Sequence, residues 1–250
     1  MIAVWFSCGA ASAVAAKKTI ERYSGEHEIR VINNPVIEED SDNLRFMREV
    51  EEWIGVKIET ATNDKFPNAS AREIWEKRKY MAGQDGAPCT YELKKQARYQ
   101  WEEKHKPEFH VLGFTADPAE VKRYQRFILT ERDNVLPVLI DAGITKLECF
   151  KILHRAGIKR PRIYDMGYPN ANCIGCVKAA SPAYWNNVRR VHPEIFADRA
   201  EQSRRLGAKL WKTSDDTRYF LDELPENFRD GQKEMDFDCG NFCEEKPTNG

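Results

Sequence analysis

The chain has 250 residues, of which 41% are hydrophobic and 32% charged, and its formal net charge is −1. This composition is typical of one large globular domain, or of one domain with an appendage, and no apolar run approaches the ~20 residues that a membrane span requires. Because 39 basic residues are balanced by 40 acidic ones, any attraction to nucleic acid would have to come from a local patch. Seven cysteines without a convincing export signal favour metal ligands, redox thiols or buried side chains over disulfides, so we expect a cytoplasmic protein.

The first predicted elements are an apolar strand from Ile2 to Phe6 and an Ala-rich helix, joined by small residues. In this order the first helical N–H groups have no partner within the helix and lie at the positive end of its dipole. Small side chains let an oxyanion approach these groups. The turn lacks the Lys-Ser/Thr end of a Walker A loop and is not GxGxxG. We therefore predict an anion-binding loop made of Ser7, Cys8, Gly9, Ala10, Ala11 and Ser12.

Two other interpretations of this stretch are open. A secretory signal would also place a short apolar run before small residues, but no basic residue precedes the run, and Ser, Cys and Gly interrupt it. The second alternative is an ordinary buried strand and helix that bind no ligand.

Strands and helices then alternate along the chain. Further strands are predicted over 28–33, 56–59, 109–114 and 135–140, and helices over 68–81, 90–106 and 145–156. Alternation of this kind predicts an α/β fold with a five-stranded, mostly parallel sheet and helices on both faces. Ligands of such sheets bind beyond the carboxyl ends of the strands, so we expect Ser7, Cys89 and Thr115 at one edge. An acidic cluster at residues 38–42 is interpreted as a solvated helix cap, with a metal site as the alternative.

The amino-acid composition changes near residue 160, where Gly, Pro, Asn and aromatic residues become frequent. We therefore divide the chain into an α/β domain over residues 1–160 and a segment over residues 161–250 that is helical and loop-like and carries cysteines. This segment is expected to pack on the same domain.

Cys173 and Cys176 form a Cys-x-x-Cys motif around Gly175, and two thiols at this spacing can bind one metal or one corner of a cluster. A single motif is half a site, so further ligands are needed from Cys89, Cys239 or Cys243. The alternative is a pair of buried thiols. A thioredoxin-like dithiol is disfavoured, because that motif opens a helix early in a βαβ unit.

The acidic tail carries a further thiol, Cys239, next to a glycine. This thiol is interpreted as a nucleophile on a mobile arm, with a metal ligand or an inert terminus as alternatives. Basic residues on the helices near the expected ligand edge offer charge for phosphate or sulfate oxygens, or else form a solvated face. They are Lys94, Lys95, Arg98, Lys122, Arg123 and Arg126.

Five segments together resemble the phosphoadenylyl sulfate (PAPS) reductase group of the PP-loop, or adenine nucleotide alpha hydrolase-like, superfamily, in particular its phage and bacterial branch. The segments are SCGAAS, GAPCTYELKK, GFTADPAEVKR, NANCIGCVKAASPAYW and DCGNFCEE, and they occur in the family's order over nearly the whole chain. The resemblance implies a five-stranded parallel sheet of the PP-loop (HUP-like) type that binds an adenine nucleotide. The loop departs from the family's SGGxDS pattern, because Cys8 replaces a glycine and Ala11 replaces the aspartate.

Iron–sulfur members of the family hold a 4Fe–4S cluster through a Cys-Cys pair and a later Cys-x-x-Cys. The resemblance therefore implies a 4Fe–4S cluster, or zinc as the alternative, on Cys89, Cys173 and Cys176, with Cys243 or Cys239 as the fourth ligand. Here the Cys-Cys pair is Cys89-Thr90, and the tail has Asp238 in place of the family's glutamate.

The resemblance also implies an activity, the thiol-dependent reduction of an adenylyl sulfate to sulfite. The loop Ser7–Ser12 and Thr115 would bind the nucleotide, and Arg123 and Lys94 would offset the sulfate charge. Cys239 would attack sulfur, and a thioredoxin-like dithiol would release sulfite. The alternatives are an iron–sulfur-dependent PP-loop sulfurtransferase that acts on nucleic acid, against which the missing loop aspartate speaks, and a non-catalytic nucleotide- or metal-binding module.

Overall fold

A computed structural model describes residues 1–83 and 86–228. The chain divides into two compact units. The first comprises residues 1–35, 41–62 and 97–162, and the second comprises the described residues of 36–40, 63–96 and 163–228. The second unit thus includes two segments that precede residue 160, where the sequence suggested a boundary. Within the described residues, none of the helices has the length and apolar character needed to cross a bilayer.

The described helices alternate with short strands and turns. In chain order they are α1 (Ala10–Tyr23), α2 (Asn43–Ile54), α3 (Ala71–Arg78), α4 (Pro88–Thr90), α5 (Ala97–His105), α6 (Pro118–Thr130), α7 (Val138–Asp141), α8 (Lys146–Arg155), α9 (Arg162–Asp165), α10 (Pro182–Val191) and α11 (Pro193–Arg205), with a π-helix at Tyr91–Gln96 and a 3₁₀ turn at Leu221–Glu223.

A four-stranded parallel sheet forms the centre of the first unit. Its strands are β1 (Ile2–Phe6), β2 (Ile29–Asn33), β3 (Ile58–Thr60) and β4 (Phe109–Val111), in the spatial order β3-β2-β1-β4. Along β1, Ile2 lies opposite Ile29 of β2 and Phe109 of β4. The α/β class and the parallel sheet are confirmed.

The prediction of a fifth strand over residues 135–140 is wrong. Val135 makes a single parallel bridge to His110, and α7 begins three residues later with Pro137 as its N-cap. Proline has no N–H for a ladder hydrogen bond and fixes its own φ. The apolar run therefore turns into a helix at the point where a strand would need its next donor.

Both faces of the sheet are covered. Side chains alternate along β1, so that Val4 and Phe6 share a buried cluster with α1, α2, α7 and α8. Trp5 points to the opposite face, where its ring meets that of Trp101 on α5 with centroids 5.5 Å apart. Cys149 on α8 is fully buried in the first cluster.

The second unit has an aromatic core that contains Trp75, Trp185 and Trp211, together with Cys89, Cys173 and Cys176. A short antiparallel hairpin, β5 (Trp211–Lys212) and β6 (Arg218–Tyr219), lies near the end of the described chain. The helix that the sequence predicted over residues 90–106 is divided into α4, the π-helix and α5.

Candidate functional site

The loop between β1 and α1 presents backbone amides at the carboxyl edge of the sheet. Cys8 has a φ of 53°, a left-handed conformation that turns the chain, and Gly9 is the extended N-cap of the helix. The first amide that donates within α1 is that of Ala13, to the Gly9 carbonyl at 3.1 Å. The amides before Ala13 therefore have no acceptor inside the helix, and the helix dipole makes their end positive.

Hydrogen bonds of two serines hold this loop together. The Ser12 hydroxyl donates to the Gly9 carbonyl at 3.0 Å and accepts from the Ser7 amide at 3.1 Å and the Ser7 hydroxyl at 3.3 Å. Ser12 is buried, whereas Ser7 is exposed. In this structure Ser12 fixes the loop, and Ser7 is the serine that solvent reaches.

Asn33 at the end of β2 holds the turn in place, a role that sequence analysis missed. Its side-chain amide donates to the Phe6 carbonyl at 2.8 Å and to the Cys8 sulfur at 3.6 Å. A left-handed conformation is unfavourable for a residue with a Cβ and persists only where the surroundings impose it. Asn33 supplies part of that constraint, yet in the sequence it is simply the last residue of a strand.

Gly113, two residues after β4, lets the chain pass directly against the first turn of α1. A Cβ built on Gly113 would lie 2.9 Å from the Ser12 nitrogen and 3.2 Å from the Ala11 carbonyl carbon. No side chain fits there without movement of backbone. An isolated glycine in an apolar strand pattern is the one signal in the sequence that indicates this contact.

Thr115 and Arg123 lie beyond this glycine. The buried Thr115 hydroxyl donates to the Asp117 carboxylate at 2.7 Å, and Asp117 also accepts from the Lys146 amide at 2.8 Å. Arg123 forms an ion pair with Glu120 at 2.5 Å, and its guanidinium carbon lies 5.6 Å from the centroid of the Phe114 ring. Asp117 therefore joins the end of β4 to the start of α8, and Arg123 stands on the same segment of chain.

Lys94 belongs to the π-helix of the second unit. Its ammonium group lies 2.9 Å from the Glu39 carboxylate, and both side chains are only 10% exposed. The acidic cluster that contains Glu39 also caps a helix, because the Glu38 carboxylate accepts from the Ser70 hydroxyl and from the Ala71 and Arg72 amides at the start of α3. The sequence predicted a solvated helix cap; in the structure Glu38 caps α3, and Glu39 is largely buried beside Lys94.

The Cys-x-x-Cys segment is a tight turn in the core of the second unit. Gly175 has a φ of 69°, and the Ile174 amide donates to the Glu38 carbonyl at 2.9 Å. The Tyr184 hydroxyl accepts from the Cys176 amide at 2.8 Å and donates to the Cys173 carbonyl at 3.4 Å. Burial raises the pKa of Tyr184, so the hydroxyl keeps the proton that it donates.

Three buried hydrogen-bond donors in this core have no acceptor among the described residues. They are the Trp75 indole nitrogen, the Tyr168 hydroxyl and Nε of Arg199. Orphaned donors in the same core as two thiols suit an anionic, thiolate-bound group, since sulfur ligands accept hydrogen bonds from the surrounding protein. In charge and donor set, this part of the chain fits a metal or an iron–sulfur cluster.

The ligand set is incomplete within residues 1–83 and 86–228, where no three Cys, His, Asp or Glu side chains form a group that could hold a metal ion. Cys89 is buried in the same core as the Cys-x-x-Cys turn but does not complete such a group. None of these three cysteines forms a disulfide with another described residue. Cys239 and Cys243 lie outside the described residues, and their assigned roles stay predictions.

Fold and site define an α/β protein in which a strand–turn–helix junction places backbone amides that have no acceptor within the helix at the carboxyl edge of a parallel sheet. No family profile matches the chain, and no curated protein is significantly similar to it in sequence. Among solved structures, a phosphoadenylyl-sulfate reductase from Candida auris in complex with phosphate is similar over 69% of this chain and 80% of its own, with 10% identity and a TM-score of 0.49. A U34-tRNA thiolase from Methanococcus maripaludis, solved with its 4Fe–4S cluster, is similar over 82% of this chain and 71% of its own, with 12% identity and a TM-score of 0.43. These similarities are low, so the fold class rests on the sheet and its connections.

Proposed function

We propose that the first unit binds an adenine nucleotide and that the loop from Ser7 to Ser12 holds its phosphates. The observation that carries this proposal is the group of amides before Ala13, which point outward from the positive end of α1. Gly113 keeps the neighbouring chain close without filling the space with a side chain. This loop suits a phosphate better than a neutral ligand, because the available groups are donors.

The reaction that we propose is the thiol-dependent reduction of an adenylyl sulfate, which rests on the sequence of the tail. The Cys239 thiolate attacks the sulfate sulfur, so that a sulfur–sulfur bond forms and the bond from sulfur to the bridging phosphate oxygen breaks. The nucleotide 5′-phosphate leaves with that electron pair. A thioredoxin-type dithiol then attacks the Cys239 sulfur, releases sulfite, and closes to a disulfide as it regenerates the Cys239 thiol.

The described residues supply binding and charge for this reaction. The loop amides hold the phosphate that becomes the leaving group, and hydrogen bonds to its developing charge assist departure. Arg123 is proposed to contact the sulfate end, for which it would exchange its ion pair with Glu120. Lys94 is the second proposed cation, and its partner in this structure is Glu39. No step is assigned to a metal centre.

Calorimetry with adenosine 5′-phosphosulfate tests the binding half of the proposal. Wild-type protein should bind it, and Gly9→Val should weaken binding about tenfold or more, because the added side chain obstructs the approach of the anion. Gly25→Val is the control for the same change in the first unit, since a Cβ at Gly25 meets no atom within 4 Å. If wild-type protein binds no adenylyl nucleotide, the proposal is wrong.

Intact-mass analysis tests the chemical half. Incubation with the sulfonucleotide in the absence of reductant should add one sulfonate to a peptide containing Cys239. Cys239→Ser should lose the adduct and turnover while it keeps nucleotide binding, and an adduct that persists in Cys239→Ser would contradict the assignment.

The buried Cys-x-x-Cys turn with its orphaned donors favours a second function, sulfur transfer to nucleic acid by a cluster-containing PP-loop enzyme. That function would be supported if Cys239→Ser lost bound iron instead of the adduct, and if the protein incorporated sulfur into an RNA substrate. Nucleotide binding without either chemistry would leave a nucleotide-binding module.

A further inference from the structure

Arg199 on α11 carries its charge inside the core of the second unit. The residue is only 2% exposed, and its guanidinium carbon lies 4.4 Å from the centroid of the Trp75 ring. Nη1 donates to the Gln202 side chain at 2.8 Å, whereas Nε has no acceptor among the described residues. A buried guanidinium is costly unless hydrogen bonds and an opposite charge compensate it.

The carboxylates nearby compensate this charge only in part. Asp198 lies 3.7 Å from Nη1, but it is 40% exposed and also pairs with Arg72 at 2.9 Å. Burial lowers the pKa of Arg199, and Asp198, Glu38 and Cys173 act in the opposite direction. A guanidinium has so high an intrinsic pKa that it stays protonated even here. The core therefore holds a cation that is suited to a further anionic partner.

The unpartnered edge of Arg199 adjoins the Cys-x-x-Cys turn. A Cβ built on Gly175 would lie 3.6 Å from Arg199 Nε and 3.1 Å from a methyl carbon of Ile195. A Cβ at position 175 would thus be in van der Waals contact with the guanidinium, which places the turn beside Arg199. The thiols that flank Gly175 are the groups of this turn that can become anionic.

We infer that Arg199 is a positioning residue for a thiolate-bound metal centre on Cys173 and Cys176, where it balances the thiolate charge and donates its Nε–H to sulfur. A metal binds thiolates, so each ligating thiol releases its proton to solvent and adds one negative charge to the core. Trp75 and Tyr168, whose buried donors also have no acceptor among the described residues, belong to the same core. This inference rests on the metal site predicted from the sequence and is independent of the nucleotide loop.

Titration of full-length, metal-free protein with Co²⁺ under anaerobic, reducing conditions tests this role, because thiolate-to-cobalt absorption reports the site without any assay of activity. Arg199→Met keeps an unbranched apolar side chain over Trp75 and removes the charge. We expect it to weaken Co²⁺ binding about tenfold or more, in the range found for partners of metal ligands. Arg204→Met is the matched control, since Arg204 lies on the same helix but is exposed and paired with Asp222.

Thermal melting separates this role from simple packing. If the Arg199 charge lacks a full counter-charge in the metal-free protein, Arg199→Met leaves the melting temperature of that form unchanged or raises it. The variant should also reduce the increase in melting temperature that Co²⁺ produces. A lower melting temperature without metal, together with unchanged Co²⁺ affinity, would overturn the inference. If Arg199→Met does not fold, Arg199→Lys decides, because it keeps the charge and loses the Nε–H: weaker Co²⁺ binding supports the role, and wild-type affinity overturns it.

The test also separates this inference from the proposed function. A wild-type protein that binds no Co²⁺ at Cys173 and Cys176 would overturn the role of Arg199 and leave nucleotide binding untouched. Conversely, a protein that binds Co²⁺ as expected but no adenylyl nucleotide would retain the metal centre and lose the proposed reaction.

Discussion

At the scale of single residues, the loop between β1 and α1 depends on two residues outside it, Gly113 and Asn33. Gly113 has no Cβ, and this absence lets the chain after β4 lie against the backbone of Ala11 and Ser12. Asn33 is the complementary case, because its one amide group contacts both Phe6 and Cys8. Neither residue needs to touch a nucleotide in order to determine the shape of the loop.

Gly113→Ala should therefore displace the first turn of α1. Overpacking of this kind costs about 1–3 kcal/mol, and the displaced amides should bind adenosine 5′-phosphosulfate more weakly by about tenfold, equivalent to ~1.4 kcal/mol. Calorimetry and thermal melting measure the two effects. Gly25→Ala is the control, since a Cβ there meets no atom within 4 Å. Equal binding by wild type and Gly113→Ala would show that the contact does not position the loop.

At the scale of elements, several helix boundaries in the structure coincide with local sequence signals. Ser70, Thr145 and Ser181 each accept a backbone N–H as N-caps, and Gly55 ends α2 in a left-handed conformation. Such signals lie within a few residues of the element that they delimit. The strand–loop–helix of the candidate site was predictable for the same reason.

The features that the sequence did not reveal depend on partners far along the chain. Asn33 and Gly113 contact the loop, but at least one helix separates each of them from it along the chain. Likewise, α10 lies between the Cys-x-x-Cys turn and Arg199. The predicted fifth strand does not form for a local reason, the proline at position 137, which the sequence contains. Periodicity alone also did not predict the π-helix at Tyr91–Gln96, because it changes the register of one turn inside a helical pattern.

The Cys-x-x-Cys turn yields a prediction at this scale. Tyr184→Phe removes a hydroxyl that accepts from the Cys176 amide and donates to the Cys173 carbonyl. Loss of a buried partner of this kind costs about 1–3 kcal/mol, so we expect a lower free energy of unfolding in urea and weaker retention of Co²⁺. Tyr219→Phe, on the β5–β6 hairpin, should change neither. If Tyr184→Phe is as stable as wild type, the hydroxyl does not hold the turn.

At the scale of the whole molecule, stability should depend on pH through a buried histidine. His110 on β4 accepts from the Trp5 indole at 3.1 Å through Nδ1, and an indole N–H can only donate. Burial and the neighbouring Arg132 and Arg98 lower the pKa of His110 from 6.5 to about 3. The ring is therefore neutral in the folded protein, although Glu102 lies 3.8 Å from it.

Between pH 6.5 and about 3 the unfolded chain binds a proton at His110 that the folded protein does not. Stability should consequently be greatest above pH 6.5 and fall as the pH decreases through this window, by on the order of 1 kcal/mol per pH unit. His110→Gln should flatten that slope, whereas His154→Gln, at an exposed position of α8, should preserve it. Urea unfolding at several pH values measures the slopes, and identical slopes for wild type and His110→Gln would contradict this assignment.

The interleaving of the two units has a consequence for synthesis on the ribosome. β1 is made first, but its neighbour β4 begins only at Phe109, and the first unit is complete only when residue 162 has emerged. During that interval β2 is the only strand of the described sheet that can pair with β1. The apolar residues of segments 36–40 and 63–96 pack against residues that are translated only after Ile163. Pairings between such distant segments form slowly, so we expect the nascent chain to expose strand edges and core side chains until the later segments have emerged. Capture by chaperones during translation, and a yield that varies with the translation rate, are the expected results.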